Sequence, residues 1–389
     1  MEFIKKIGKS ENGSVTVYVL STLIVVLLVT TTIYIGLRNK TTTQIKQMDK
    51  INKEYSVTDT DMQEAYDKAI MRTLKSVKGT ETTNTTVKDN LGNQVVVPAG
   101  FKVVNPDDNV TDGIIIEDIS HSATAGSQFV WIPVGEVIKD SAGNKETITL
   151  SRYTFANDNV GTPIDKGSAK IESDFNSSYS HTEINTAPNG NKTAKENIES
   201  EESGFRKSVK DNRGYYIGRY EARDKDATET RTSSSNKTNQ LVCTANKYVY
   251  NYITQPKAAE LSRGMYSDSN FESDLMNSYA WDTAIVFLQK FDNRANKDSL
   301  KPYSGQTSLN DSLASQGTNN LSKKDVICNV YDMASNCREW TTEACNLSPY
   351  PCTVRGGRYD SSDYYTSLRS FNSTGDSFGY ISFRPLLYM

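Results

Sequence analysis

Histidine is nearly absent from this chain of 389 residues: His121 and His181 are the only two, and each stands in polar loop sequence. That scarcity argues against a His-based metal centre or a Ser-His catalytic site. Cysteine is also sparse, with Cys243, Cys328, Cys337, Cys345 and Cys352. An odd number leaves at least one thiol free or paired outside the chain. The last four are too widely spaced for a structural zinc site, which needs close cysteine pairs. Cys345 and Cys352 bracket the turn-rich "NLSPYP", a loop that a disulfide could close; equally, both could be small buried thiols. Positive charge is not in excess either. Lys plus Arg number 44 against 47 Asp plus Glu, for a net charge of −3, and no basic patch is gathered in the folded part. No electrostatic basis for a nucleic-acid partner exists.

What is present points to a wet, loop-rich β protein. Tyrosines outnumber phenylalanines 22 to 12, and Ser, Thr and Asn are abundant. At the front, Ser14 to Leu37 contains neither a charge nor a proline. As a helix it would reach about 36 Å, enough to cross a hydrocarbon core of roughly 30 Å. It lacks the small-residue cleavage end of a secretory signal. Residues 1–40 therefore read as a basic leader and membrane anchor, with the N-terminus inside and the rest of the chain outside. Residues 41–85 are charged and loosely amphipathic, with Ile45, Met48 and Ile51, then Met62, Ala65, Ala69 and Leu74, at helical spacing. They read as a helical stalk.

Residues 86–389 read as one large α+β domain. "GNQVVVPAGFKVV", "DGIIIEDIS", "SQFVWIPVG" and "GYYIGRYEARD" are strand-like runs bounded by turn residues. "QPKAAELSRGMY" and "SYAWDTAIVFLQKF" read as helices, the second with Ala280, Ala284, Phe287, Leu288 and Phe291 on one face. Residues 166–210, poor in apolar side chains, read as a solvated insertion.

These pieces, in this order, resemble the formylglycine-generating enzyme (sulfatase-modifying factor) family. "FVWIPVGE" and "YYIGRYEARD" resemble its opening strands, "SYAWDTAIVFLQKF" its W-x-x-A helix, and "NVYDMASNCREWTTE" its D-M-A-G-N-V-W-E-W segment. "VRGGRY…SFRPL" resembles its closing R-G-G-S-W…G-F-R. The resemblance implies a variant of the C-type lectin fold. That family's copper-assisted oxidation needs a cysteine pair just after R-G-G, and here "RGGRYDSSDYYTSLRS" has none. No enzyme, copper or organic cofactor is expected, and a formylglycine-type oxidase is the disfavoured alternative. The family also binds a cation on the segment matching "DMASNCRE". By that match Asp332 and Glu339 would give side-chain oxygens and Ser335 and Cys337 carbonyls, a hard-oxygen set suited to calcium. The alternative is that the two acids cap turns or pair with basic groups. Trp340 is expected in the core. The junction "ENGSVTVYV" is similar to the processing site of type IV pilin-like proteins, which would imply cleavage after Gly13. The acid usual five positions into the mature pilin is Tyr18 here, so a plain signal anchor stays the first choice.

The stretch Arg355 to Tyr388 has no Lys, Glu, Gln, His, Trp or Met. It is built mainly of Tyr, Asp, Ser, Phe, Asn, Gly, Arg, Thr and Leu, residues reachable when the adenines of an Asn codon are replaced by any base. Residues 355–384 thereby resemble the variable region of a diversity-generating retroelement target, a bacterial or phage protein class that uses this lectin variant. That resemblance implies a ligand-binding face made of Arg358, Tyr359, Asp360, Ser361, Asp363, Tyr364, Tyr365, Phe371, Asn372, Asp376, Phe378 and Tyr380. Tyrosine offers broad contact area at low entropy cost, and Ser, Asn and Gly offer adaptable hydrogen bonds. A protein or glycan would be the ligand, with the membrane and pilus assembly components as further partners. A pilin-like structural surface protein is the remaining alternative, its C-terminal stretch then being a β-loop with no ligand.

Overall fold

Runs of β-branched and aromatic residues flanked by turns become strands in the computed structural model. It describes residues 73–155, 170–171, 181–183, 193–195, 197–202, 204–229, 231–234, 240–245, 248–266, 270–292, 325–359 and 366–389. The expected anchor, the Gly13 junction and most of the stalk lie outside these residues. Among the described residues no helix is long and apolar enough to cross a membrane. The last part of the expected stalk belongs to the folded body: Leu74 is buried, and Thr85–Lys88 pairs with Gln94–Val97.

The architecture is mixed α+β, mostly sheet. In chain order, its main strands are β1 (Phe101–Val103), β2 (Ile115–Asp118), β3 (Gln128–Pro133) and β4 (His181–Glu183). Helix α1 (Gly204–Asn212) and strand β5 (Gly214–Gly218) come next. Helix α2 (Gln255–Met265), strand β6 (Glu272–Leu275) and helix α3 (Ser278–Phe291) follow. The chain closes with β7 (Arg338–Cys345), β8 (Cys352–Arg355), β9 (Arg369–Asn372), β10 (Ile381–Phe383) and β11 (Pro385–Tyr388).

Two sheets carry the domain. A six-stranded antiparallel sheet runs β6-β11-β5-β3-β2-β1, so the last strand is inserted between the mid-chain strands β5 and β6. A five-stranded sheet runs β4-β7-β8-β9, with β10 parallel to β7. The closing "ISFRPLLY" is split at Arg384 between the two sheets. The expected strands and both helices otherwise fall where the pattern put them. In β3 and β5 the apolar runs are nearly continuous, as suits strands covered on both faces.

Helix α3 differs from the expected single apolar stripe: every residue except Lys290 is buried. The helix is wrapped on all sides, which its low charge content permits. Asn277 caps it by accepting the N–H of Ala280 at 2.8 Å. Of residues 166–210, expected as a solvated insertion, the described part from 193 onward carries buried apolar side chains. Ala194 and Ile198 are buried, and α1 drives Phe205 edge-on against Tyr215 and Tyr388. Four or five apolar side chains suffice to pin a polar segment to a core, and a composition average does not register them.

The same segment is stitched down by Asp274 on β6, which accepts the backbone N–H of Lys195 and of Leu275. Burial pushes the Asp274 carboxyl up to about 7, against the opposing pull of those two N–H groups. A carboxyl raised on folding favours the folded state while protonated. Its contribution is full below the ordinary carboxyl range and is lost as pH rises through about 7. Asp274→Asn should therefore flatten the fall in unfolding free energy between about pH 4 and pH 7, measured by urea titration at each pH. An unchanged slope in the variant would show that the carboxyl does not titrate there.

Candidate functional site: the C-terminal segment and its supports

The segment begins at a tight bend. Gly356, just after β8, has φ +82°, and a Cβ there would lie 2.7 Å from the Met333 carbonyl oxygen. Only glycine takes that conformation at no steric cost. The bend delivers Arg358 and Tyr359 to the surface. The N–H of Tyr359 donates to the Asn336 carbonyl at 2.7 Å, and its ring is half-buried against Val249 and Cys337. Asp360, Ser361, Asp363, Tyr364 and Tyr365 lie outside the described residues.

The chain returns in β9, the edge strand of the five-stranded sheet, where Phe371 and Asn372 are half-buried. Asp376 then closes a turn by accepting from the Asn372 side chain at 3.1 Å and the Ser373 N–H at 2.8 Å. Beyond it, the rings of Phe378 and Tyr380 stack with centroids 5.2 Å apart and planes 8° from parallel. The Arg358 guanidinium lies 4.2 Å from the centre of the same Tyr380 ring. Tyr380 thus links three planar groups drawn from two ends of the segment. Phe378 is 37% exposed, one of few large apolar side chains so open. Such stacks hold by quadrupole and cation–π attraction without needing a buried setting.

The backbone under this stack is fastened independently of its side chains. Tyr252 and Ile381 both donate their N–H to the Phe378 carbonyl at 3.1 Å. The Asn251 side chain donates to Gly379 at 2.7 Å, and Arg338 N–H to the Tyr380 carbonyl at 2.9 Å. Tyr252 itself is held at φ +50°, and a side chain at Gly379 would meet its ring. Tyr252 lies outside the compositional segment, and nothing in its sequence context marks it as a neighbour of the stack.

A second group missed in the sequence lies beneath. Arg355 on β8 and Arg369 on β9 share two carboxylates, Asp282 of α3 and Glu343 of β7. Arg355 reaches Asp282 at 2.6 Å and Glu343 at 3.3 Å; Arg369 reaches Glu343 at 2.8 Å and pairs with Asp282 as well. The side chains of Arg355, Asp282 and Glu343 are fully buried, and that of Arg369 is 9% exposed. Burial, then the like charge of Arg369, lowers the Arg355 pKa; the two carboxylates outweigh burial at Arg369 and raise its own. Arg369 thus sits inside the diversified-looking segment yet works as framework. Strand β9 itself offers no cue, since its four residues are all half-buried, and the buried acids opposite are far off in sequence.

The residues expected to hold calcium are near one another but are engaged differently. Both Glu339 oxygens accept from Arg384, at 2.6 to 3.2 Å. Asp332 accepts the Ser335 hydroxyl at 3.4 Å and faces Arg223 at 4.0 Å. Cys337 donates its N–H to Glu221 at 2.8 Å, and Asn336 donates its side-chain amide to the same carboxylate. Among the described residues no group of three or more His, Cys, Asp or Glu is arranged to hold a metal ion. For Glu339 the structure shows the pairing alternative, with Arg384 as the partner. Trp340 is fully buried, as expected, and donates to the Ile253 carbonyl at 2.8 Å.

All five cysteines are buried, and Cys345 and Cys352 form no disulfide, so the loop between them is not closed by one. Burial pushes the thiols of Cys243 and Cys352 up to about 12, and raises those of Cys337 and Cys345 as well. Thiols held protonated are poor nucleophiles and poor metal ligands. His121 is less isolated than its sequence context suggested. Its Nδ1 lies 2.9 Å from the buried Asp118, and its ring packs edge-on against Tyr266 and Phe271. His181 lies on strand β4.

No family model and no curated protein matches this chain. Among solved structures it is similar to the Treponema denticola variable protein 1, at 12% identity and a TM-score of 0.34. The match covers 68% of this chain and 96% of that one. So slight a likeness assigns no family.

Proposed function

We propose that this chain is a membrane-tethered display protein whose C-terminal segment is a diversified ligand-binding face on a C-type-lectin-like domain. The observation that carries the reading is the Arg358–Tyr380–Phe378 stack: it is partly exposed, and its backbone is anchored by bonds that substitution of its side chains leaves in place. Diversification needs that separation between what holds the fold and what meets the ligand. The composition of residues 355–384 supports it, since aromatic, Arg and small polar side chains are the currency of protein interfaces. A protein or glycan surface is the ligand class in this reading. The uncharged Ser14–Leu37 supports a single-pass tether with the domain outside the cell. The raised thiols support a binding role over a thiol oxidase.

The genomic test is direct. DNA near the gene should contain a close repeat of the segment's coding sequence, differing at adenines of the repeat, beside a reverse transcriptase gene. A locus with neither would defeat the diversification reading. At the protein level, Ser at Arg358, Phe378 and Tyr380, one at a time, should change unfolding free energy by no more than about 0.5 kcal/mol each. Losses of about 2 kcal/mol or more in chemical denaturation would make the stack structural.

A further inference from the structure

We infer that the charge which a divalent cation would supply at the Asp332–Glu339 segment comes instead from two buried arginines, so that the domain folds without calcium at that place. Calcium takes six to eight oxygens at about 2.3–2.6 Å, several of them carboxylate. Here both oxygens of the Glu339 carboxylate have been drawn elsewhere. Glu339 lies against Arg384, whose remaining donors reach the carbonyls of Gly218 at 2.7 Å and Tyr331 at 2.8 Å. Arg384 is fully buried, and this set engages all three of its nitrogens. A cation on Glu339 would have to strip away that guanidinium and leave it buried without its carboxylate.

Asp332 has a buried side-chain oxygen with no hydrogen-bond partner among the described residues, and it faces Arg223. The Arg223 side chain is fully buried, and none of its three nitrogens has a hydrogen-bond partner among the described residues. Its positive charge therefore acts through space on the acids around it. A calcium ion placed at Asp332 would meet that charge at close range in a medium of low dielectric. The local amides oppose a cation too. Asn336 and Cys337 aim N–H groups at Glu221, the orientation of an acceptor cradle. Arg384 thus lies against Glu339 and Arg223 faces Asp332, so protein side chains already supply positive charge at this place.

The test uses the purified full-length chain, with CaCl2 as the probe. Thermal unfolding in about 2 mM CaCl2 and in about 2 mM EGTA should give midpoints within about 1 °C, because a ligand that binds only the folded state must raise the midpoint. Calorimetric titration with CaCl2 should give no heat, or a heat that Asp332→Asn leaves unchanged because it arises elsewhere in the chain. Arg223→Met should lower the midpoint, and CaCl2 should not restore it. A rise of several degrees with CaCl2 in the unaltered chain, abolished by Asp332→Asn, would overturn the inference. So would calcium restoring the Arg223→Met variant to the unaltered midpoint.

Discussion

Arg355→Met should lower the unfolding free energy of the domain by roughly 3–5 kcal/mol, read from urea denaturation at neutral pH. The figure reflects what is left behind. Asp282 and Glu343 are both fully buried, and removal of Arg355 leaves them sharing the single guanidinium of Arg369. Arg355 also donates to the carbonyls of Leu368 at 3.0 Å and Ser367 at 3.3 Å, where the chain enters β9. Those carbonyls would lose their partner in the same substitution. Arg355→Lys should recover only part of the loss, since one ammonium cannot address two carboxylates and two carbonyls in a planar fork. Arg369→Ser should also destabilise, although its composition places it with residues free to vary. A loss under about 0.5 kcal/mol for Arg355→Met would mean that the four charges are solvated in solution.

Local structure was legible because it depends on local text. The strands at Gln128–Pro133 and Gly214–Gly218 announce themselves by apolar runs between turn residues, and α2 by Pro256 in its first turn. The bend at Gly356 is of the same local kind, since only glycine takes its φ of +82° without steric cost. What could not be read was pairing across distance. Arg355 and Asp282 are 73 positions apart, and Arg384 and Glu339 are 45 apart. An isolated "R-G-G" or "F-R-P" carries no sign of which acid its arginine will meet. The expected calcium ligands illustrate the cost: a motif names residues, and only the fold shows that arginines have already taken the carboxylates. Tyr252 is the other case. Its place beside Phe378 and Gly379 follows from the return path of the last loop, which no periodicity encodes.

Gly356→Val should cost at least about 3 kcal/mol, with Gly356→Ala milder but in the same direction. Two separate penalties combine. The backbone at φ +82° lies where a β-branched side chain is strongly disfavoured. The added Cβ would also sit 2.7 Å from the Met333 carbonyl oxygen and 3.4 Å from the Trp281 ring. Neither neighbour can yield readily. Met333 lies in the turn leading to β7, and Trp281 is fully buried on α3 with its indole N–H donating to Thr366 at 2.9 Å. Relief would have to come from moving residue 356 itself, and residue 355 is fixed by its four bonds. The displacement would pass to Arg358, whose contact with Tyr380 depends on the exit direction of this bend. Gly356→Val should therefore both lower the denaturation midpoint and make Phe378 and Tyr380 more accessible to solvent, as reported by tyrosine fluorescence quenching. Phe378→Ser should leave the midpoint nearly unchanged. If the glycine variant proves as stable as the unaltered chain, the bend is not the fixed hinge on which the surface segment turns.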